Sequence, residues 1–475
     1  MFIRRTLSLV LAVLWLWPAG LYAQSGTLTE IYNEARDLDK AGHYEKAISL
    51  YLKALELGEQ QLGPSHPTIG ILLENLANLY KARGRLAEVE PLLKRALAIW
   101  EKALGPEHRD VAASMERYGA LLREIGRSAE ANAMAARAKA NRAKHAETQL
   151  LQKQALFETG MAALERGDYA AALQVFEPLA GRGDAGGQYG LALMYHTGKG
   201  KQRDFGKAFE LFYLAAQQGF ALARAELGYM FVVGKGAPKN YGQAKFWFKL
   251  AAEQGTARAQ NGLGMIYLFG LGEVKDYDKA VAWYRRAFEQ GSIEAANGLG
   301  IAYLNGLGVT QDLAQAMQLF IRAARAGDHG GQNNLGAMYF DVDGPLHDDV
   351  QAHMWFSIVI AQGFEDATHE NAVKSRSELA KRMTPADVSE AEGLAQAWTP
   401  TRGLARAYKD LGVMYANGQG TPKDLVKAYS WLNVSAEAGE ESAATVRDTL
   451  AQVLSPEQIT EAKSLTPEWT SAQRQ

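Results

Sequence analysis

The chain has 475 residues, with 51 Lys and Arg against 53 Asp and Glu. That balance removes the broad basic field a nucleic-acid binder carries. There is no cysteine, which excludes disulfides, thiolate metal sites and a cysteine nucleophile.

The chain opens with Arg4 and Arg5, an apolar run over residues 7–17, then Pro18, Gly20 and Leu21-Tyr22-Ala23. A charged start, a short apolar core and a small residue at the cut describe a secretory signal. Cleavage is expected after Ala23, with an uncleaved membrane anchor as the other reading. No Cys follows the apolar run, which excludes a lipoprotein. No later segment is apolar enough to cross a bilayer, so no stable membrane insertion is expected once the signal is removed.

From about residue 28 to 140, glycines recur 42 apart, at Gly42, Gly84 and Gly126. Each lies between two amphipathic segments, the grammar of paired antiparallel helices. Gly63-Pro64-Ser65-His66-Pro67 returns as Gly105-Pro106-Glu107-His108-Arg109, and these read as loops between repeats. Leu76, Tyr80, Gly84, Ala87 and Ala96, then Tyr118, Gly119, Leu122 and Gly126, give this part its pattern. It resembles tetratricopeptide repeats of the kinesin-light-chain-like kind. Residues 129–154 lack Gly and Pro, which predicts one long linking helix, with Arg137, Arg142, Lys144 and Lys153 on a solvated side.

A 36-residue period then takes over. N-G-L-G-M-I-Y-L-F-G-L-G over residues 261–272 returns as N-G-L-G-I-A-Y-L-N-G-L-G over 297–308. Related copies occupy residues 189–200, 225–236, 333–344 and 409–420. Leu263 and Tyr267, four apart, share a helical face. Gly264 sits between them at a cost in helix propensity, so its recurrence at Gly228, Gly300 and Gly336 predicts close approach by another helix. The Gly-x-Gly pair ends the first helix and makes the turn. A second helix carries Ala280, Tyr284 and Ala287, and Gly291 closes the unit.

This pattern looks like the Sel1-like repeat family, a relative of the tetratricopeptide repeat. The resemblance implies an all-α solenoid, an α/α superhelix of stacked helix pairs. It further implies an adaptor or assembly factor of the bacterial envelope, without cofactor or metal and with a protein or peptide partner. The expected divisions are a signal over 1–23, tetratricopeptide repeats with the linking helix over 24–143, a Sel1-like array over 144–398, and a C-terminal repeat with capping helices over 399–475. Around that last repeat one device occurs twice: Thr384-Pro385 and Ser455-Pro456 each read as an N-cap with Pro at the first helical position.

Catalytic patterns are scarce. The Gly-x-Gly pairs lack the preceding strand and following Lys-Ser or Lys-Thr of a phosphate loop. His347, Asp348, Asp349 and His353 are close in sequence, but equivalent positions in other repeats carry other residues. The resemblance raises a cell-wall-active alternative, a peptidoglycan binder or a β-lactamase-like hydrolase. That hydrolase group is cysteine-rich, and this chain has neither cysteine nor an S-x-x-K motif. A non-catalytic role is expected.

Asn261, Asn297 and Asn333 form a column two residues before the repeat leucine. Positions four and eight further on share its face: Met265 and Phe269, Ile301 and Asn305, Ala337 and Asp341. Earlier repeats place Tyr189 and Tyr229 on that face. In tetratricopeptide arrays the first helices line the concave groove. The candidate protein-binding residues are therefore Tyr189, Tyr229, Asn261, Met265, Phe269, Asn297, Asn305 and Asn333. Asparagine offers a donor and an acceptor, which suits an extended main chain. It serves equally to bond neighbouring repeats, and both readings stand at this point.

Overall fold

A computed structural model describes residues 26–471, apart from 365 and 400–402. The signal expected over residues 1–23 lies outside the described residues. Twenty-three helices and no strand are found among the described residues. The chain divides into two compact units, residues 1–158 and 159–475.

The first unit holds α1 (Gly26–Lys40), α2 (Tyr44–Leu62), α3 (Pro67–Ala82), α4 (Leu86–Leu104) and α5 (Arg109–Glu124). Gly42, Gly84 and Gly126 have positive φ and make the tight turns. His66 and His108 are N-caps as well as loop residues: the ring nitrogen of each accepts from the backbone N–H two residues on, at 3.2 Å. The linking helix is α6 (Ser128–Glu165), 38 residues long, and it crosses the division between the units. Its basic side is paired: Arg137 meets Glu101 at 3.0 Å, Arg142 meets Glu116 at 2.6 Å, and Lys144 meets Glu107.

In the second unit α7 (Tyr169–Gly181) precedes five helix pairs in sequence. They are α8 (Ala185–Thr197) with α9 (Phe205–Gln217), α10 (Ala221–Val233) with α11 (Tyr241–Glu253), α12 (Ala257–Phe269) with α13 (Tyr277–Glu289), α14 (Ile293–Asn305) with α15 (Leu313–Arg325), and α16 (His329–Phe340) with α17 (Asp349–Ala361). Gly198, Gly234, Gly270 and Gly306 end the first helices in the left-handed region, where a side chain costs about 1–2 kcal/mol. The next helix starts on an Asp or Asn cap, as Asp276 accepts from Lys279 N–H at 3.0 Å. The cap's own N–H donates to the carbonyl of the aromatic in the first helix, Asp276 to Tyr267 at 3.0 Å.

The helical glycines are explained by rings. A methyl group on Gly264 would stand 2.5 Å from the Tyr284 ring, and one on Gly298, from the next first helix, also 2.5 Å. Phe248 is held the same way between Gly228 and Gly262. In the second and third repeats the aromatic of the second helix is thus clamped between glycines of two successive first helices.

After α17 come α18 (Ala367–Leu379) and α19 (Pro385–Ala397), both packed on α17. The sixth pair is α20 (Ala405–Asn417) with α21 (Leu425–Glu437), followed by α22 (Glu441–Ala451) and α23 (Pro456–Ser471), both packed on α21. The repeated device is present: Thr384 and Asp387 form a capping box, and Ser455 and Gln458 exchange the same two bonds.

The sixth pair does not follow the fifth as the fifth follows the fourth. In the second, third and fourth repeats, the second glycine of the turn sits on the first residues of the preceding second helix: Gly236 at Phe205, Gly272 at Tyr241, Gly308 at Tyr277. The fifth repeat reads Asp341-Val342-Asp343-Gly344 there and leaves the place at Leu313 to Gly420 of the sixth. Leu313 N–H donates to Gly420 O at 2.7 Å. Tyr339 donates to Asp410 at 3.0 Å, and Arg406 meets Asp348 at 3.4 Å. Leu404, Tyr408, Leu411 and Tyr415 share one buried core with Met317, Phe320, Tyr339 and Trp355.

Candidate functional site

The candidate column separates into residues used between repeats and residues left open. Asn261 is 8 % exposed, and its amide donates to the Tyr229 hydroxyl of the preceding repeat at 2.8 Å. Burial pushes that phenol up to about 12, so it stays protonated and donates in turn to Arg258 O at 3.1 Å. The Arg258 guanidinium lies 4.5 Å over the Tyr229 ring and pairs with Glu226 at 2.8 Å and Glu294 at 3.8 Å. One arginine therefore ties together three consecutive repeats.

Asn297 works in the other direction. Its carbonyl accepts from Asn334 of the following repeat at 2.7 Å. Asn333 is half-buried, and its Oδ1 is buried with no hydrogen-bond partner among the described residues. Tyr189 is buried between Phe212 and Phe220, at ring separations of 5.6 and 5.2 Å. Asn305 is exposed, and its amide bonds back to Ile301 O of its own helix at 2.9 Å. Met265 is half-buried, and Phe269 is 51 % exposed.

Truncating Asn261 to Ala removes one of the two bonds of a buried hydroxyl, a loss of about 1 kcal/mol. We expect urea denaturation of Asn261→Ala to show that loss, whereas Phe269→Ala should leave the midpoint within about 0.5 kcal/mol of the parent, as a surface change does.

The polar cluster around residue 347 does not converge. His347 meets Asp349 at 3.0 Å, Asp349 pairs with Arg382, and Asp348 caps α17. His353 turns to Ser357 at 3.4 Å, and burial lowers its pKa, which keeps the imidazole neutral. Among the described residues no group of three His, Cys, Asp or Glu is placed to hold a metal ion. No helix among them is long and apolar enough to cross a membrane.

The tetratricopeptide repeat family matches residues 28–99 and 68–144. The Sel1 repeat family matches residues 185–220, 221–256, 257–292, 293–328, 329–364 and 405–440, the six pairs described above. Among solved structures, a Sel1 repeat protein from Oxalobacter formigenes is 27 % identical, with 59 % of this chain and 99 % of that one covered and a TM-score of 0.36. A protective antigen present in uropathogenic Escherichia coli strains, displaying an SLR fold, is 23 % identical over 95 % of this chain and 93 % of its own, with a TM-score of 0.40. No curated protein matches the sequence.

Proposed function

The chain belongs to the Sel1-repeat proteins, with tetratricopeptide repeats ahead of its Sel1 array, and we propose that it is a non-catalytic adaptor of the bacterial envelope that holds a protein segment on the face of its first helices. Repeat scaffolds of these two kinds suit protein interaction and are in general not catalytic. The envelope location rests on the N-terminal segment with Arg4, Arg5, its apolar run and Ala23.

The observation that carries the binding face is the division of labour just described. Asn261, Tyr229 and Asn297 are engaged between repeats, while Phe269 is 51 % exposed. Met265 shares its helix face, Ile301 occupies the same column of the next repeat, and both are half-buried. Val233, at the place of Phe269 in the preceding repeat, is 49 % exposed, and exposed large apolar side chains that share a face mark interaction sites.

The test is crosslinking in cells expressing the full chain, with recovery from the periplasmic fraction. Met265→Ser with Phe269→Ser should lose the protein crosslinked to the parent and keep its fold by circular dichroism. Undiminished recovery by the double variant removes the face. Recovery of cell-wall polymer in place of protein, or of the chain in the cytosol alone, overturns the adaptor reading.

A further inference from the structure

The turns between the paired helices carry a second pattern, independent of the asparagine column. At the nineteenth position of the six repeats stand Arg203, Lys239, Lys275, Gln311, His347 and Lys423. Their geometry recurs as well. Arg203 lies against Gly198, Lys239 against Gly234, Lys275 against Gly270, Gln311 against Gly306 and Lys423 against Gly418. In five of the six repeats the side-chain stem thus crosses the left-handed glycine that ends the first helix, which brings the heads out on the same edge.

The charge is concentrated in the first two turns. Lys199, Arg203, Lys235 and Lys239 are all exposed and make no ion pair with any described residue. The neighbouring charges are already matched. Lys201 pairs with Glu177 at 2.6 Å, Asp204 with Lys207 at 3.5 Å, and Glu273 with Lys245 at 2.6 Å. The cap of the second repeat is the uncharged Asn240. The two turns adjoin, since Gly236 sits on Phe205 and Lys235 lies 5.3 Å over the Phe205 ring. Four unmatched cations on one edge stand out in a chain whose total charge is −2.

Apolar groups line the same edge. Val233 is 49 % exposed at the end of α10, and Val274, in the turn of the third repeat, is 86 % exposed. A phosphate polymer has nothing to place on two valines.

We infer that this turn edge binds an acidic polypeptide segment in extended form, with carboxylates on the cations and apolar side chains on Val233 and Val274. The register follows from the packing. First helices of the second to fifth repeats touch in succession, and packed helices lie about 8–10 Å apart. An extended strand advances about 3.3 Å per residue. Carboxylates about three residues apart therefore match consecutive rungs. The inference takes from the proposed function only that the partner is a polypeptide.

The experiment is fluorescence anisotropy on the full chain with a labelled synthetic peptide of about fifteen residues. It carries Glu at every third position, with Leu and Ser between. We expect binding at low salt that weakens as added NaCl shortens the screening length. The quadruple variant Lys199→Gln, Arg203→Gln, Lys235→Gln and Lys239→Gln should bind roughly tenfold or more weakly, as four exposed charge contacts of modest strength allow. A peptide of the same composition with its glutamates clustered should bind more weakly than the spaced one. Met265→Ser with Phe269→Ser should not change the affinity, which separates this edge from the Met265 and Phe269 side chains. Absence of binding at low salt, equal affinity for the quadruple variant, or equal affinity for inorganic polyphosphate each overturns the inference.

Discussion

Replacing Phe248 by Ala should cost about 3–5 kcal/mol, the range for removing a fully buried aromatic. The ring is 0 % exposed and packs edge-on against Tyr229 at 4.9 Å. Gly228 and Gly262 both stand against the ring and carry no side chain to fill the space it leaves. In a solenoid each repeat contacts only its neighbours, so the loss falls on the joint between the second and third repeats. Equilibrium unfolding followed by circular dichroism should shift to lower urea and broaden, as this joint opens before the rest. A second substitution checks the cause. Gly228→Ala gains about 1 kcal/mol of helix propensity but pushes a methyl into the ring, and overpacking costs about 1–3 kcal/mol. The ring has little room to yield, because Gly262 of the next repeat is packed on it as well, with a methyl there only 2.6 Å away. Gly228→Ala should therefore destabilise the parent and stabilise Phe248→Ala. If it stabilises both, the clamp is not what keeps glycine at that position.

Much of this architecture is legible in the residues themselves. A 36-residue period of glycine, leucine and aromatic leaves few alternatives to stacked helix pairs, and the Gly-x-Gly turn, the Thr384 and Ser455 caps and the linking helix all follow from local chemistry. The recurring helical glycine at 228, 264 and 300 announced a close approach, and the structure identifies it as an aromatic ring of the paired helix. Its partner across the ring was harder to see. Gly190, Gly262 and Gly298 fill that place in three repeats, but Glu226 and Asn334 replace them in two others. The asparagine column shows a deeper limit. Asn261 bonds backward to Tyr229 and Asn297 forward to Asn334, so identical residues at one repeat position take different partners. Periodicity specifies the position of a side chain along its helix. The direction of its hydrogen bond depends on which neighbour offers a group, and Tyr229 has no counterpart hydroxyl at Met265. The docking of the sixth repeat was hidden for the same kind of reason. Period alone cannot tell which earlier helix a repeat meets after about forty intervening residues.

That docking makes Gly420→Val the second substitution of large expected effect. Gly420 has φ +68°, and a side chain there would run into Leu313 of the fourth repeat, whose N–H donates to the Gly420 carbonyl at 2.7 Å. Left-handed strain of about 1–2 kcal/mol adds to overpacking of about 1–3 kcal/mol, for a total of roughly 2–5 kcal/mol. Gly418→Val is the control. Gly418 also lies in the left-handed region, at φ +71°, but a methyl there meets Lys423 of its own turn at 3.3 Å and nothing of the fourth repeat. Hydrogen exchange should separate the two. Gly418→Val should speed exchange in α20 and the following turn alone. Gly420→Val should speed it there and also in α15, because the joint that both elements share has been wedged open, while α10 to α13 keep the parental rates. The Tyr339–Asp410 bond and the Arg406–Asp348 pair tie the sixth repeat to the fifth and do not touch Leu313. They should keep the sixth repeat attached, so loosening is expected without complete release. Identical exchange profiles for the two variants would mean that Gly420 serves only its own turn and that the sixth repeat is held by the buried core around Tyr408 and Leu411.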